Sequence, residues 1–356
     1  MSMARAARVL LPLSLLACLL PLAAQAQTPP AAQALTKVRL GLTRTLIVGA
    51  TTTAIDKGYF RDVGIDVDVN YLDGSANSVF LLAQNELQVV EGGVSASFFN
   101  AVNQHLPVKI AMDDTSTPVG HWLVLRADLA DKIKSIADFK GHVLGINAPS
   151  SISLYESAKV LQSGGVSLDD VQVKIVPFLQ MAAAFQAKAV DAFAMPAPWS
   201  TEIPTMGLGV RWMDVDEKIE PRPFDLSVVM FNTDWAAKNP QVAQNFFTAL
   251  LRGARDYCDA YHHGPNRAEV AKRIVDAGIA RDVASLDSYV WGARSPNGAV
   301  NPASLDDIQS WYKAQGVLPA VQPMDKVIDT SFAKEAAGKL GPYRPSNPDD
   351  KLAGCR

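Results

Sequence analysis

Cysteine is almost missing from this chain: three residues in 356, with no C-x-x-C pair and no Cys/His cluster. That spacing excludes a disulfide-dense fold and argues against a structural zinc site. Charge is sparse as well. Charged residues are 19% of the chain and the formal net charge is -3. Without a basic stripe, nucleic acid is not an expected partner. Beyond the N-terminus no apolar run approaches the roughly 20 residues a membrane span needs. The nucleophile elbow G-x-S-x-G, the P-loop and the H-E-x-x-H zinc motif are all missing. After the first strand Gly41 stands alone, with no dinucleotide fingerprint. No catalytic residue, cofactor or metal is therefore expected, and a binding protein is favoured over an enzyme.

The N-terminus carries the first positive signal. Arg5 and Arg8 precede an apolar run from Val9 to Ala24, and Ala24-Gln25-Ala26 places small residues where a signal peptidase reads. Residues 1–26 are thus expected to be a cleaved secretion signal that delivers the mature chain to the periplasm. Leu15-Leu16-Ala17-Cys18 offers a lipoprotein reading with Cys18 as the lipidated residue. The apolar run continues past Cys18, which weighs against it. In an oxidising compartment Cys258 and Cys355 are free to pair, which would tie the C-terminal tail to the helix carrying Cys258; two unrelated thiols are the equal alternative.

About 330 residues remain after the signal, more than one core comfortably serves, so two domains are expected. Residues 27–36 are read as a disordered leader. Lys37–Leu42 alternates as a strand, Val48–Lys57 forms a helix stopped by Gly58, and Ile65–Val69 alternates again. Asp73-Gly74-Ser75 then opens a helix over Asn77–Gln84, before a strand at Leu87–Val90. This β-α-β-α-β order restarts at His142–Ile146, with a helix to about Ser163, a strand at Val171–Val176, a helix over Met181–Lys188 and a strand at Val190–Ala194. Leu82–Val90 and Phe185–Phe193 read alike, each leaving a helix, turning and entering a strand. Extended runs at His121–Arg126 and Asp225–Phe231 are read as crossing strands of a hinge. The reading is an α/β protein of two lobes, each a mainly parallel sheet flanked by helices. Lobe one takes residues 37–121 and 226–340, lobe two takes 122–225, and 341–356 is a surface tail. Helices are expected at 242–262, 268–277, 283–290 and 304–315.

Gly58-Tyr59-Phe60-Arg61-Asp62-Val63-Gly64-Ile65-Asp66-Val67 resembles a signature of the periplasmic binding proteins for alkanesulfonates, taurine, nitrate and thiamine precursors. Asp138-Phe139-Lys140-Gly141 is similar to their D-L-K-G-K passage. Ala189-Val190-Asp191-Ala192-Phe193 followed by Pro198-Trp199 is similar to their G-x-V-D-A…P passage, with Lys188-Ala189 where a glycine is usual. The resemblance spans roughly residues 37–320. It implies a type II periplasmic binding fold and a solute-binding subunit that hands its ligand to an ABC permease. It does not fix the ligand.

In open α/β sheets ligands bind beyond the carboxyl ends of the strands. The candidate ligand residues follow from that rule. Thr43 and Arg44 follow the first strand, and Arg44 offers a fork to a carboxylate or sulfonate. Ser75 and Asn77 open a helix. Gly93 and Ser95 lie in a loop whose glycines admit close backbone approach, with Glu91 as a local cap or the partner of an amine. His121 and Trp122 stand at the presumed hinge, with Trp122 as a cleft wall. Ser150, Ser151 and Ser153 open a helix in lobe two, the strongest anion-facing element. Trp199 is placed to stack on a ring, and Phe224 and Asp225 mark the second crossing. His262-His263 reads as a solvated pair rather than a metal site, and Asp113-Asp114 as turn or cap residues at a strand end. The expected ligand is a small organic anion, a sulfonate or carboxylate with room for an aromatic body. A neutral pyrimidine is the alternative, and a sensing module for a membrane kinase is a further one. The expected state is a monomer.

Overall fold

The chain forms two five-stranded sheets in a computed structural model that describes Met1, Met3, residues 34–72 and residues 75–356, with the backbone alone for 75–77. The expected secretion signal and most of the leader lie outside the described residues, as does the Asp73-Gly74 turn.

Strand β1 (Thr36–Leu42) buries Val38, Leu40 and Leu42 and exposes Lys37 and Arg39, the period-two pattern of a half-buried strand. It begins at Thr36, inside the stretch assigned to the leader. It pairs in parallel with β2 (Ile65–Tyr71) and β3 (Val89–Gly93). β4 (Val108–Ser116) completes this sheet through β10 (Asp225–Asn232), which runs antiparallel to both β3 and β4. The order is β2-β1-β3-β10-β4.

The second sheet repeats the plan. β6 (Val143–Ile146) pairs in parallel with β7 (Gln172–Ile175) and β8 (Ala192–Met195), and β5 (Trp122–Arg126) runs antiparallel between β8 and β9 (Gly209–Asp214). Its order is β7-β6-β8-β5-β9. Both sheets are therefore mixed, with one reversed strand in fourth or next-to-edge place. The two passages that read alike in sequence enter β3 and β8, the central strands. Each turn uses a non-glycine residue at positive φ: Asn85 at 59° and Lys188 at 55°. The extended runs at His121–Arg126 and Asp225–Phe231 are not the crossings expected of them, because they form β5 and β10 inside the sheets; the chain crosses at 117–121, from β4 to β5, and at 215–224, from β9 to β10.

Helix Pro240–Tyr261 starts with proline at its first position, where no hydrogen-bond donor is needed. It buries Phe246, Phe247, Leu250, Leu251, Tyr257 and Cys258 against the first sheet, each large apolar side chain contributing roughly 1.5–3 kcal/mol. Gly253 lets it cross helix Gly49–Asp56 closely, since a Cβ there would stand 2.5 Å from Ala50 O. Helix Pro302–Ala314 bridges the halves. Its Tyr312 ring lies 6.4 Å from Phe99, and its Trp311 ring 5.5 Å from Tyr155 of helix Ile152–Gln162. Among the described residues no helix is long and apolar enough to cross a membrane.

Three expectations need correction. Asp113 and Asp114 are not turn residues: both are buried inside β4. Burial demands partners, and Asp113 accepts from Ser295 N at 2.6 Å while Asp114 pairs with Arg294 at 3.1 Å. His262 is fully buried rather than solvated. Its Nε2 lies 3.1 Å from Gly354 O, and His263 Nδ1 lies 2.7 Å from Asp350. The helix expected over 283–290 stops at Ser288.

The C-terminal tail is anchored by these histidines and by Tyr261, whose hydroxyl donates to Ala353 O. Cys258 and Cys355 form a disulfide across a sequence separation of 97. Gly354 packs against Ala293 and Pro118, so the tail ends beside the first crossing. Closing so long a loop restricts the unfolded chain. Cys355→Ser is expected to cost roughly 2–4 kcal/mol, read as a lower urea midpoint under non-reducing conditions. An unchanged midpoint would deny the bridge any stabilising role.

Candidate functional site

The carboxyl ends of β1, β2 and β3 face those of β6, β7 and β8 across a cleft. Because β5 and β10 run antiparallel to their neighbours, their first residues arrive at the same edges. The parallel strands thus contribute the loops after them, and the reversed strands contribute the residues before or at their start.

Two cavities lie end to end there, sharing Thr43 and Phe178. The inner one takes Thr43, Thr45 and Ile47 from the loop after β1, Gly93 from β3 and Leu226 from β10. From the other side come His121, Asn147, Ser151, Ile152, Ser153, Glu156, Ala194 and Pro196. Its hydroxyls are engaged with one another. Thr43 Oγ1 lies 3.4 Å from Thr45 Oγ1, Ser151 Oγ lies 2.8 Å from Ser153 Oγ, and Ser153 donates to Asn147 Oδ1 at 2.7 Å. His121 Nδ1 stands 2.9 Å from Glu156 Oε1. Both His121 ring nitrogens and both Glu156 oxygens are buried with no hydrogen-bond partner among the described residues.

The outer cavity is aromatic and cationic, lined by Arg44, Tyr71, Leu72, Leu179 and Trp199 with the shared Thr43 and Phe178. Arg44 lies flat over Tyr71, its Cζ 3.8 Å from the ring centre, which holds the guanidinium at the mouth. Trp199 stacks on Phe178 with centres 4.8 Å apart and planes at 13°.

The halves touch around this cleft. Leu46 N donates to Ala197 O at 3.3 Å and Ala96 N to Ser150 O at 3.2 Å. Tyr289 Oη donates to Glu202 at 2.6 Å. A Cβ on Gly93 would stand 2.3 Å from Ile152 Cγ2, so glycine is what admits Ile152.

The sequence-derived residues divide accordingly. Thr43, Gly93, His121, Ser151 and Ser153 line the inner cavity; Arg44 and Trp199 line the outer. Ser150 spends its carbonyl on the contact between halves. Ser95 is buried next to Gly93 at the start of helix Ala96–Asn103 and lines neither cavity. Trp122 does not wall the cleft: period two turns it away from His121 into the small core around Val124 and Phe193, with Arg211 over its ring at 5.7 Å. Phe224 stacks on Tyr155 at 5.7 Å, and Asp225 accepts from Asn301 N at 2.7 Å; both are core residues. Glu91 neither caps nor faces the cleft, since it is buried and accepts from Thr51 Oγ1 at 2.7 Å. The side chains of Ser75 and Asn77 lie outside the described ones. Glu156 and Phe178 were not singled out in sequence. Phe178 follows β7 and obeys the same loop rule, whereas Glu156 reads as an ordinary helix position. Among the described residues no three His, Cys, Asp or Glu side chains gather to hold a metal.

Two mixed sheets joined by two passages, with a cleft at their facing edges, define a periplasmic binding protein fold. The crystal structure of the periplasmic nitrate-binding protein NrtA from Synechocystis superposes with a TM-score of 0.73 at 16% identity, covering 90% of this chain and 92% of that one. The chain belongs to the NMT1/THI5-like family, whose model matches residues 48–261. It is 29% identical over 145 residues to the nitrate/nitrite binding protein NrtA of a Nostoc species, covering 40% of this chain and 32% of the relative. It is also 29% identical over 214 residues to the riboflavin-binding protein RibY of Chloroflexus aurantiacus, covering 57% and 56%. The match thus spans about a third to just over half the length of these two relatives.

Within the first sheet lies a buried acidic network. Arg294 reaches Ile47 O at 2.9 Å and pairs with Asp114, which also accepts from Ser227. Burial raises Glu91 well above its usual range, and Asp114 raises it further. Burial likewise pushes Asp113 up to about 7, against its hydrogen bonds from Ser295 and Ser116, and Asp225 up to about 8, with Asp113 adding to the latter. From roughly pH 4 upward the unfolded chain releases these protons while the fold keeps them, at most about 1.4 kcal/mol per pH unit per group. Stability is expected to fall as pH rises from 5 to about 8 and then to level. Asp225→Asn should flatten the upper part of that decline in thermal melts. A melting temperature that rises across this window would contradict the assignment.

Proposed function

We propose that this protein is the extracytoplasmic solute-binding subunit of an ABC importer, closing as a monomer around a small organic acid with a planar body. The carrying observation is the outer cavity, where Arg44 is held at the mouth beside the Trp199–Phe178 stack. A guanidinium fork suits a carboxylate or sulfonate, and the stacked rings offer a flat apolar face. Family membership and the binding-protein fold support capture rather than catalysis, and the nitrate- and riboflavin-binding names of the relatives fit small solutes. Residues 37–121 with 226–340, and residues 122–225, serve as the closing lobes, pivoting at 117–121 and 215–224. The closed form would then present both lobes to a permease. The residue 1–26 signal would deliver the chain to the periplasm, with lipidation at Cys18 the weaker reading.

A neutral heterocycle such as a pyrimidine is a second reading, favoured by the Glu156–His121 pair in the inner cavity. Thermal melts against nitrate, taurine, benzenesulfonate, benzoate and uracil separate the two, because a ligand of the native state raises its apparent stability. An upward shift with the aromatic acids supports the first reading. A shift with uracil and none with any acid would sink it.

Two variants sharpen this. Arg44→Ala should weaken the best acid roughly tenfold in calorimetric titration; unchanged affinity would remove Arg44 from the site. Gly93→Val should weaken every ligand at least roughly tenfold, since its Cβ alone would stand 2.3 Å from Ile152 Cγ2 and hold the halves apart. Undiminished binding would show that closure does not need this contact.

A further inference from the structure

We infer that Glu156 sets which end of the ligand is buried, accepting from an N–H edge such as an amide, lactam or amino-heterocycle. This rests on the cleft being the ligand site and assigns polarity to its occupant: donor edge inward, acid outward.

Glu156 is wholly buried on the second turn of helix Ile152–Gln162 and lines the inner cavity. With His121 it makes up the ionisable part of that lining among the described residues. A buried carboxylate is costly unless its oxygens accept hydrogen bonds. Here the hydroxyls that line the same cavity are committed elsewhere: Thr43 with Thr45, and Ser151, Ser153 and Asn147 in a chain of their own. His121 Nδ1 lies 2.9 Å from Oε1 without the geometry of a hydrogen bond, and neither Glu156 oxygen has a hydrogen-bond partner among the described residues. An arriving group that brings hydrogen atoms would match these oxygens. Nitrate, sulfonate and carboxylate oxygens have none to give, whereas an amide or aminopyrimidine edge does. His121 Nε2, also unpartnered, is suited to the neighbouring polar atom of such an edge, which makes the pair bidentate. Isosteres lacking the donor would leave Oε2 desolvated and unmatched, the situation in which binding sites discriminate most strongly.

The test compares matched probes by calorimetric titration: 4-aminobenzoate and 4-carbamoylbenzoate against 4-methylbenzoate and terephthalate, with uracil and benzamidine as donors lacking an acid. The expected result is that the two donor-bearing benzoates bind roughly tenfold or more tighter than 4-methylbenzoate. Terephthalate should be the weakest. Glu156→Gln, checked for a native melting transition, should shrink the amino-over-methyl preference and improve terephthalate. Equal affinity of the amino and methyl compounds would overturn the inference and leave the acid reading standing, with water as the partner of Glu156. Binding of uracil or benzamidine alone would keep the inference and sink the acid reading. No binding by any probe would overturn both. The wild-type comparison decides the matter even if the variant does not fold.

Discussion

Backbone contact between the two sheets is the constraint from which the site follows. Leu46 N on Ala197 O and Ala96 N on Ser150 O bring main chain against main chain, and Gly93 has no side chain to keep Ile152 away. Loops from opposite halves therefore meet at hydrogen-bond distance, and whatever lies between them is shielded from water. Low dielectric makes every polar group there count for more, favourably if matched and unfavourably if not. The division into a polar inner chamber and an aromatic mouth is a consequence. Hydroxyls and the Glu156–His121 pair lie where solvent is excluded, and Arg44 and Trp199 lie where the cleft opens.

The acidic network beneath the first sheet shows how one buried cation organises distant chain segments. Arg294 comes from near the C-terminal end of the fold, yet it pairs with Asp114 of β4, reaches the carbonyl of Ile47 and lies 3.9 Å from the Tyr257 ring centre. It thereby fixes the loop that carries Thr43 and Arg44 relative to the long helix behind it. Several carboxyls share this single guanidinium, which is why burial drives their proton affinities upward instead of being cancelled by pairing.

Much of this architecture was legible in the residues because local periodicity and local stops carried it. The alternation in β1 and β2, the glycine after the first helix and the repeated helix-turn-strand passage into β3 and β8 each reflect physics acting within ten or so residues. The loop rule then located Thr43, Gly93, Ser151 and Trp199. What failed was everything decided by a partner far along the chain. Asp113-Asp114 looked like a turn because its partner Arg294 lies well over a hundred residues away. His262 looked solvated because nothing nearby in sequence announces the tail that covers it. Trp122 and His121 are adjacent, and only the direction of β5 decides which faces the cleft. Glu156 is the clearest case. On the helix pattern it is an ordinary polar position, and what sets it apart is the opposite half lying over it around the inner cavity.

The tail fastened by Cys355 ends against Pro118, beside the first passage between the sheets. A thiol chemistry outside the cleft lining is thus adjacent to the first passage between the sheets. A polypeptide retained where thiols stay reduced would carry this clasp undone, its final residues held by the Tyr261 and histidine contacts without the covalent bond. Compartment and stiffness would then be coupled, and only a molecule matured in an oxidising environment would acquire its full rigidity.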